Sequence, residues 1–113
     1  MQPIMISNKR ELFSGDLQKT ATLFKALSHP ARLAILEYLA ETKTCITGDI
    51  ADELPLSRTT VNQHLKELKD VGLIKGTIDG VKKNYCINQD KLNLLRENFN
   101  EFFEKIDTGF QCE

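Results

Sequence analysis

A capped amphipathic helix in the middle of this sequence constrains its fold most. Val61, Leu65 and Leu68 recur at i, i+4 and i+7, which is the spacing of one buried helical face. Ser57 precedes them as a strong N-cap, and Gly72 follows where a left-handed residue commonly ends a helix. The pattern predicts a helix between these two residues, with one face packed on a core.

Two shorter patterns flank this helix. Residues 44–54 predict a short helix capped by Thr47, and a proline-containing turn connects it to the capped helix. On the other side, β-rich runs at 73–78 and 81–87 are separated by Asp79-Gly80, the signature of a type I′ hairpin. A short helix and a capped helix across a tight turn form a helix-turn-helix unit, and the hairpin behind it is a wing.

Longer helices surround this unit. The apolar spacing predicts a first helix capped by Asp16, a second that begins at Pro30 and ends near Glu41, and a last one that begins after Asn88. The fold class is therefore mainly α with a β-hairpin wing, a winged helix-turn-helix. We divide the chain into an N-terminal arm, a winged helix-turn-helix domain and a flexible tail, at residues 1–15, 16–107 and 108–113.

Length and composition fit a single domain and exclude several classes of protein. The chain has 113 residues, of which 41% are hydrophobic, enough for one modest core. No apolar run approaches the roughly 20 residues that span a bilayer, and the first residues do not have the pattern of a signal peptide. We therefore expect a cytoplasmic protein. No catalytic triad order, glycine-rich phosphate loop or paired carboxylates in a pocket-forming context appear, so we do not expect an enzyme.

The outer face of the capped helix carries side chains that read nucleic acid. Arginine can bond guanine, and asparagine or glutamine can bond adenine, in two places each. Residues 57–83 carry a net charge of +3, whereas the remainder of the chain carries −4. A plain surface helix and a solvated hairpin tip are the alternatives. The predicted contacts to double-stranded DNA are Ser57, Arg58, Thr59, Thr60, Asn62, Gln63, His64, Lys66, Lys82 and Lys83.

The last helix is more apolar than one terminal helix of so small a domain needs. We therefore predict that the first and last helices pair with those of a second copy across a two-fold axis. Two recognition helices related in this way predict a palindromic operator. The alternative is that the phenylalanines all pack within one chain. The predicted interface residues are Phe24, Leu95, Phe99, Phe102, Phe103 and Ile106.

Two stretches resemble the winged-helix repressors of the ArsR/SmtB type. Residues 23–36, LFKALSHPARLAIL, are similar to the opening signature of that family, and residues 56–74, LSRTTVNQHLKELKDVGLI, to its recognition-helix signature. The resemblance covers about residues 16–106. It implies a homodimeric bacterial repressor that an inducer releases from DNA, with His29 and His64 as framework residues.

The chain departs from both common ligand sets of that family. The arsenic-type pattern has two cysteines that bracket one residue in the short helix. Alignment puts Ile46 and Gly48 at these positions, with Cys45 one residue earlier. The zinc-type site uses histidine on the last helix, and residues 90–106 contain none.

Three separated cysteines, Cys45, Cys86 and Cys112, give the remaining hypothesis for an effector site. Thiolates bind arsenite and other soft ions, and they are equally open to oxidation. Cys45 is the first candidate, and its pairing with Cys112 resembles the redox or persulfide switch of some family members. The alternatives are that Cys86 is a packing residue, that Cys112 is incidental, and that the protein binds DNA constitutively without a ligand.

Overall fold

The structure is a computed structural model that describes residues 12–42, 46–47, 50–77 and 84–112. It confirms the predicted winged helix-turn-helix, in which four α-helices accompany an antiparallel hairpin. The elements are α1 (Gly15–Ala26), α2 (Pro30–Thr42), β1 (Ile46–Thr47), a 3-10 helix (Ile50–Glu53), α3 (Arg58–Asp70), β2 (Ile74–Thr77), β3 (Asn84–Ile87) and α4 (Gln89–Ile106).

Both ends of α3 are closed as predicted. The Ser57 hydroxyl oxygen accepts a hydrogen bond from the Thr60 backbone N–H at 3.2 Å. At the other end Gly72 has φ +86°, and the Leu73 N–H donates to the Leu68 carbonyl at 3.0 Å. This bond, from the second residue past the cap, belongs to the Schellman ending of a helix. It fixes the direction in which the chain leaves α3 and enters β2.

The hydrophobic core lies under the inner face of α3. Val61, Leu65 and Leu68 are 0–1% exposed, which confirms the predicted stripe. The core side chains from the other elements are Leu23, Ile35, Leu39, Ile50, Leu73, Ile74, Tyr85 and Leu95. Because α1, α2, the sheet and α4 all contribute, the rotation of α3 about its own axis is fixed, and with it the face that α3 turns outward.

The segment before α3 differs from the prediction of one short helix. Thr47 caps no helix there; it lies in β1 and pairs with Asn84 of β3. Further along the predicted helix the structure has a 3-10 helix, Ile50–Glu53, and residues 44–45 and 48–49 lie outside the described ranges. The β-branched pair Ile46 and Thr47 suits a strand, and β3 offers it an unpaired edge. That edge comes from residues almost forty positions later, so local periodicity does not show it.

The outer helices begin close to where the sequence placed them. Asn88 caps α4, with its side-chain oxygen accepting from the Lys91 N–H at 3.3 Å. The cap of α1 is Ser14, whose hydroxyl oxygen accepts from the Leu17 N–H at 3.2 Å; the prediction of Asp16 as the cap was wrong by two residues. Asp16 instead lies in the first turn of α1, where its negative charge suits the helix dipole.

The wing consists of β2 and β3 in a sheet of order β1-β3-β2. Thr77 faces Asn84 across the ladder. A two-residue turn at Asp79-Gly80 would instead place Lys82 opposite Thr77. The residue that pairs with Thr77 is therefore two positions further along the chain than predicted. The turn itself falls outside the described residues.

Candidate DNA-binding interface

The side of α3 opposite the buried stripe carries three of the predicted DNA contacts, the exposed Thr59, Gln63 and Lys66. Arg58 is also exposed, at the first residue of the helix, three positions before the buried Val61. The Gln63 side-chain nitrogen donates to a carboxylate oxygen of Glu67 at 3.4 Å, one turn along the helix. This long contact is weak, so the amide can turn outward toward a base edge at little cost.

Ser57 and Thr60 form the amino-terminal end of this face. The Ser57 hydroxyl donates to the Thr60 hydroxyl oxygen at 2.9 Å, and both side chains are exposed. The end of a 13-residue helix concentrates backbone N–H groups and partial positive charge, which suits a DNA phosphate.

Asn62 and His64 lie further inward than the other predicted contacts. Asn62 is half-buried, and its side-chain oxygen is buried with no hydrogen-bond partner among the described residues. His64 is only 7% exposed and lies beside the inner stripe, where the sequence placed it, so it is a packed framework residue and not one of the exposed predicted contacts. It follows Val61 by three positions and precedes Leu68 by four, and this spacing places it on the buried stripe.

Arg32 of α2 connects the buried side of α3 to the end of α1. Its Nε donates to His64 Nδ1 at 3.1 Å, and its Nη1 donates to the carbonyl of Ala26, the last residue of α1, at 3.2 Å. His29 completes the cluster: its ring centroid lies 4.3 Å from that of His64, and its Nδ1 accepts from the Ala31 N–H at 3.0 Å. Sequence reasoning missed Arg32, although it stands inside the stretch that carries the family resemblance.

Burial lowers the pKa of His64 below its ordinary 6.5, and the neighbouring His29 and Arg32 lower it further, against a smaller opposing effect of Glu67. The hydrogen bond from Arg32 likewise favours the neutral form of His64. Because Nδ1 accepts from Arg32, the imidazole fits this site only when that nitrogen carries no proton.

This lowered pKa predicts that acid weakens the fold. The unfolded chain takes up a proton at His64 near pH 6.5, whereas the folded chain takes it up only at lower pH. The stabilisation is therefore complete above pH 6.5 and is lost as the pH falls through the interval down to the folded pKa. Urea unfolding at pH 7.5 and 5.5 measures the effect. We expect His64→Gln to lose less unfolding free energy between these two values than the wild type, and an equal loss in both proteins contradicts the prediction.

Comparison with known proteins places this geometry in a family. A family model described as a helix-turn-helix domain matches residues 27–77. The arsenical resistance operon repressor of Bacillus subtilis is 33% identical over 104 residues, which cover 90% of this chain and 98% of that protein. The chain belongs to the ArsR family of winged helix-turn-helix transcriptional regulators. A further relative is the uncharacterized HTH-type transcriptional regulator MJ1325 of Methanocaldococcus jannaschii, 37% identical over 66% of this chain and 84% of that protein.

A solved structure agrees with this assignment. An ArsR-like transcriptional regulator from Rhodococcus sp. RHA1 superposes with a TM-score of 0.64 at 26% identity, over 83% of this chain and 88% of that one. As an ArsR-family regulator the chain is a DNA-binding protein, and the proteins of this family are not enzymes. Within the part of the chain that the structure describes, no helix is both long and apolar enough to cross a membrane.

The predicted dimer residues fall into two groups. Phe24 of α1 stacks on Phe99 of α4 with ring centroids 4.4 Å apart and planes within 6°, so this pair packs inside one chain, as the alternative to a dimer holds. Leu95 is 5% exposed and belongs to the same chain's core, which differs from its predicted interface position. Phe24 also makes edge contacts with Phe102 and Phe103, and these three rings together with the exposed Ile106 form the surface that we call the aromatic face.

The structure describes some of the other predicted site residues and not the rest. Cys86 lies half-buried in β3, and Cys112 is exposed beyond the end of α4. Cys45, Lys82 and Lys83 lie outside the described residues. In the described ranges no three His, Cys, Asp or Glu side chains are grouped so that they can hold a metal ion.

Proposed function

We propose that this ArsR-family regulator is a homodimeric repressor that binds a palindromic operator through α3 and the wing. The observation that carries the proposal is the division of α3 into two faces. Its inner stripe is 0–1% exposed, whereas Thr59, Gln63 and Lys66 are exposed on the outer side and Arg58 is exposed at the first residue of the helix. A helix held this firmly, with donors and cations turned outward, has the construction of a helix that enters the major groove.

The aromatic face supports the homodimer. Phe103 and Ile106 are 52% and 56% exposed near the end of α4, and Phe24 of α1 makes edge contacts with Phe102 and Phe103. Large apolar side chains grouped on a surface mark an interaction site. A second copy with the same face gives a two-fold interface and sets two recognition helices at a fixed spacing, as a palindromic operator requires.

We further propose that an effector acts through cysteine thiols, with arsenite or another thiophilic ion as the ligand. One relative bears the name of an arsenical resistance operon repressor, and two thiolates suit trivalent arsenic better than hard ions. The effector must favour the dimer arrangement that does not fit DNA. A redox or persulfide switch uses the same thiols and is the competing chemistry.

Fluorescence anisotropy of the reduced protein on a duplex from its own promoter tests this function. We expect tight binding, followed by release when arsenite is titrated in. Cys45→Ser is expected to stay on DNA at arsenite concentrations that release the wild type, whereas Cys86→Ser measures the contribution of the wing thiol. Release by an oxidant alone assigns the switch to redox chemistry. Release by neither agent overturns the thiol mechanism, and no binding to the promoter overturns the repressor.

Two substitutions on α3 separate base reading from phosphate contact. We expect Gln63→Ala to weaken binding by about 1–3 kcal/mol and to relax preference at one base pair, because it removes a bidentate amide. Lys66→Gln is expected to weaken binding to every sequence alike and to reduce the salt slope by about one. Lys105→Gln on α4 is the matched control, with unchanged affinity. A change of base preference in Lys66→Gln contradicts this division of roles.

A further inference from the structure

The Arg32 side chain donates hydrogen bonds to groups on both α1 and α3. We propose that Arg32 is a positioning residue for DNA binding, which holds the recognition helix α3 against the carboxyl end of α1 by way of the His64 imidazole. This inference rests on the proposed function. Arg32 lies neither on the outer side of α3, which carries the proposed DNA contacts, nor on the aromatic face.

The geometry requires a guanidinium. Nε donates to His64 Nδ1 at 3.1 Å, while Nη1 donates to the carbonyls of Ala26 at 3.2 Å and Lys25 at 3.4 Å. These carbonyls are among the last of α1 and carry its negative dipole end; the Lys25 carbonyl also accepts from the Ser28 N–H at 3.1 Å and the Ser28 hydroxyl at 2.7 Å. A rigid planar fork can serve acceptors on two helices at once, whereas a lysine ammonium on a flexible stem holds no such fixed geometry.

Arg32 contacts α3 at His64, where a small movement changes the position of a proposed DNA-contacting side chain. His64 is buried on the inner face and directly follows Gln63, which stands exposed on the outer face. A shift of the imidazole therefore moves the neighbouring base-reading side chain with it. Since α1 contributes Phe24 to the aromatic face, Arg32 also connects the proposed dimer interface to the helix that carries the proposed DNA contacts.

Protonation of His64 breaks this connection. The groups that face the imidazole are His29 from the connection between α1 and α2, Arg32 from α2 and Glu67 from α3. A proton on Nδ1 removes the acceptor of the Arg32 hydrogen bond and sets two cations against each other. Acid should then weaken DNA binding, although it makes the protein more positive, a change that by itself strengthens attraction to DNA.

The first test replaces Arg32 with lysine, which keeps the net charge. On the promoter duplex at pH 7.5 we expect Arg32→Lys to bind at least about tenfold more weakly than the wild type, with the same salt slope and the same helical circular dichroism. Arg96→Lys, the same exchange on an exposed residue of α4, is the matched control and is expected to bind as the wild type does. An Arg32→Lys affinity within twofold of the wild type overturns the inference.

The second test is the pH profile of binding, which also decides the matter if Arg32→Lys does not fold. The chain has only two histidines, so few groups titrate in this range. We expect wild-type affinity to fall from pH 7.5 to 5.5, by less than about tenfold, because His64 of the free folded protein takes up its proton only below pH 6.5. His64→Gln, whose amide oxygen can accept from Arg32 without titrating, should bind normally at pH 7.5 and keep its affinity in acid.

Different results overturn the role of the Arg32–His64 bond and the proposed repressor function. Wild-type affinity that stays constant or rises in acid overturns the role of the Arg32–His64 bond while leaving the repressor intact. The same conclusion follows if His64→Gln loses affinity in acid as the wild type does. A wild type that binds no promoter duplex at pH 7.5 overturns the proposed function, and the inference falls with it.

Discussion

Gly76→Ala is expected to destabilise the folded chain by about 3 kcal/mol or more and to disrupt the wing. Gly76 lies in β2 with φ +112°, a region that residues with a side chain rarely adopt. A Cβ there would overlap the Asn84 carbonyl oxygen and lie 2.9 Å from the Tyr85 Cα. Both neighbours are backbone atoms of β3, so no side chain can move aside to make room.

Urea unfolding followed by circular dichroism measures this loss. Gly15→Ala, at the first residue of α1, is the matched control, because a Cβ there meets nothing within 4 Å. We expect that control to stay within about 0.5 kcal/mol of the wild type. A Gly76→Ala protein that unfolds within 1 kcal/mol of the wild type contradicts the wing geometry.

Charges placed on the aromatic face are expected to give a monomer that binds DNA at least about 100-fold more weakly. Phe103→Asp combined with Ile106→Asp puts two carboxylates where the proposed partner helix packs, and burying an unpaired charge costs several kcal/mol. Both residues are more than half exposed in the single chain, so the fold itself should survive. Two linked recognition helices bind a palindrome far more tightly than one, and the variant loses that advantage.

Analytical ultracentrifugation and anisotropy on the promoter duplex measure these two effects. Phe110→Asp is the control, since Phe110 is a highly exposed aromatic residue on the chain beyond α4. It should remain dimeric and bind DNA normally. If the double variant remains a dimer, the two-fold interface lies elsewhere on the molecule.

The parts of the fold that were predictable depend on local signals. Ser57 and Gly72 mark the ends of α3, and the spacing of Val61, Leu65 and Leu68 marks its inner face; each acts over one or two turns of helix. The register of β2 and β3 departed from the expectation because Asp79-Gly80 suggests a turn but does not fix which residues pair beyond it.

The parts that were missed depend on contacts between distant residues. β1 forms because it pairs with the free edge of β3, and no pattern within residues 44–54 indicates that partner. The placement of His64 beside the inner stripe was available from its spacing to Leu68, but its partner on α2 was not. The bond from Arg32 joins residues 32 positions apart and becomes visible only when α2 and α3 are packed together.

The Schellman ending of α3 has a consequence for which DNA the protein can select. Gly72 and the bond between Leu73 and Leu68 pass the chain from α3 into β2 with no flexible linker, and Leu73 and Ile74 are both buried. In the proposed complex the recognition helix and the wing therefore meet the duplex at one fixed angle, and a duplex that does not match this angle has to bend or narrow to contact both. Base steps that deform easily between the two contacts lower that cost. The operator should thus be constrained in sequence at positions that no side chain touches.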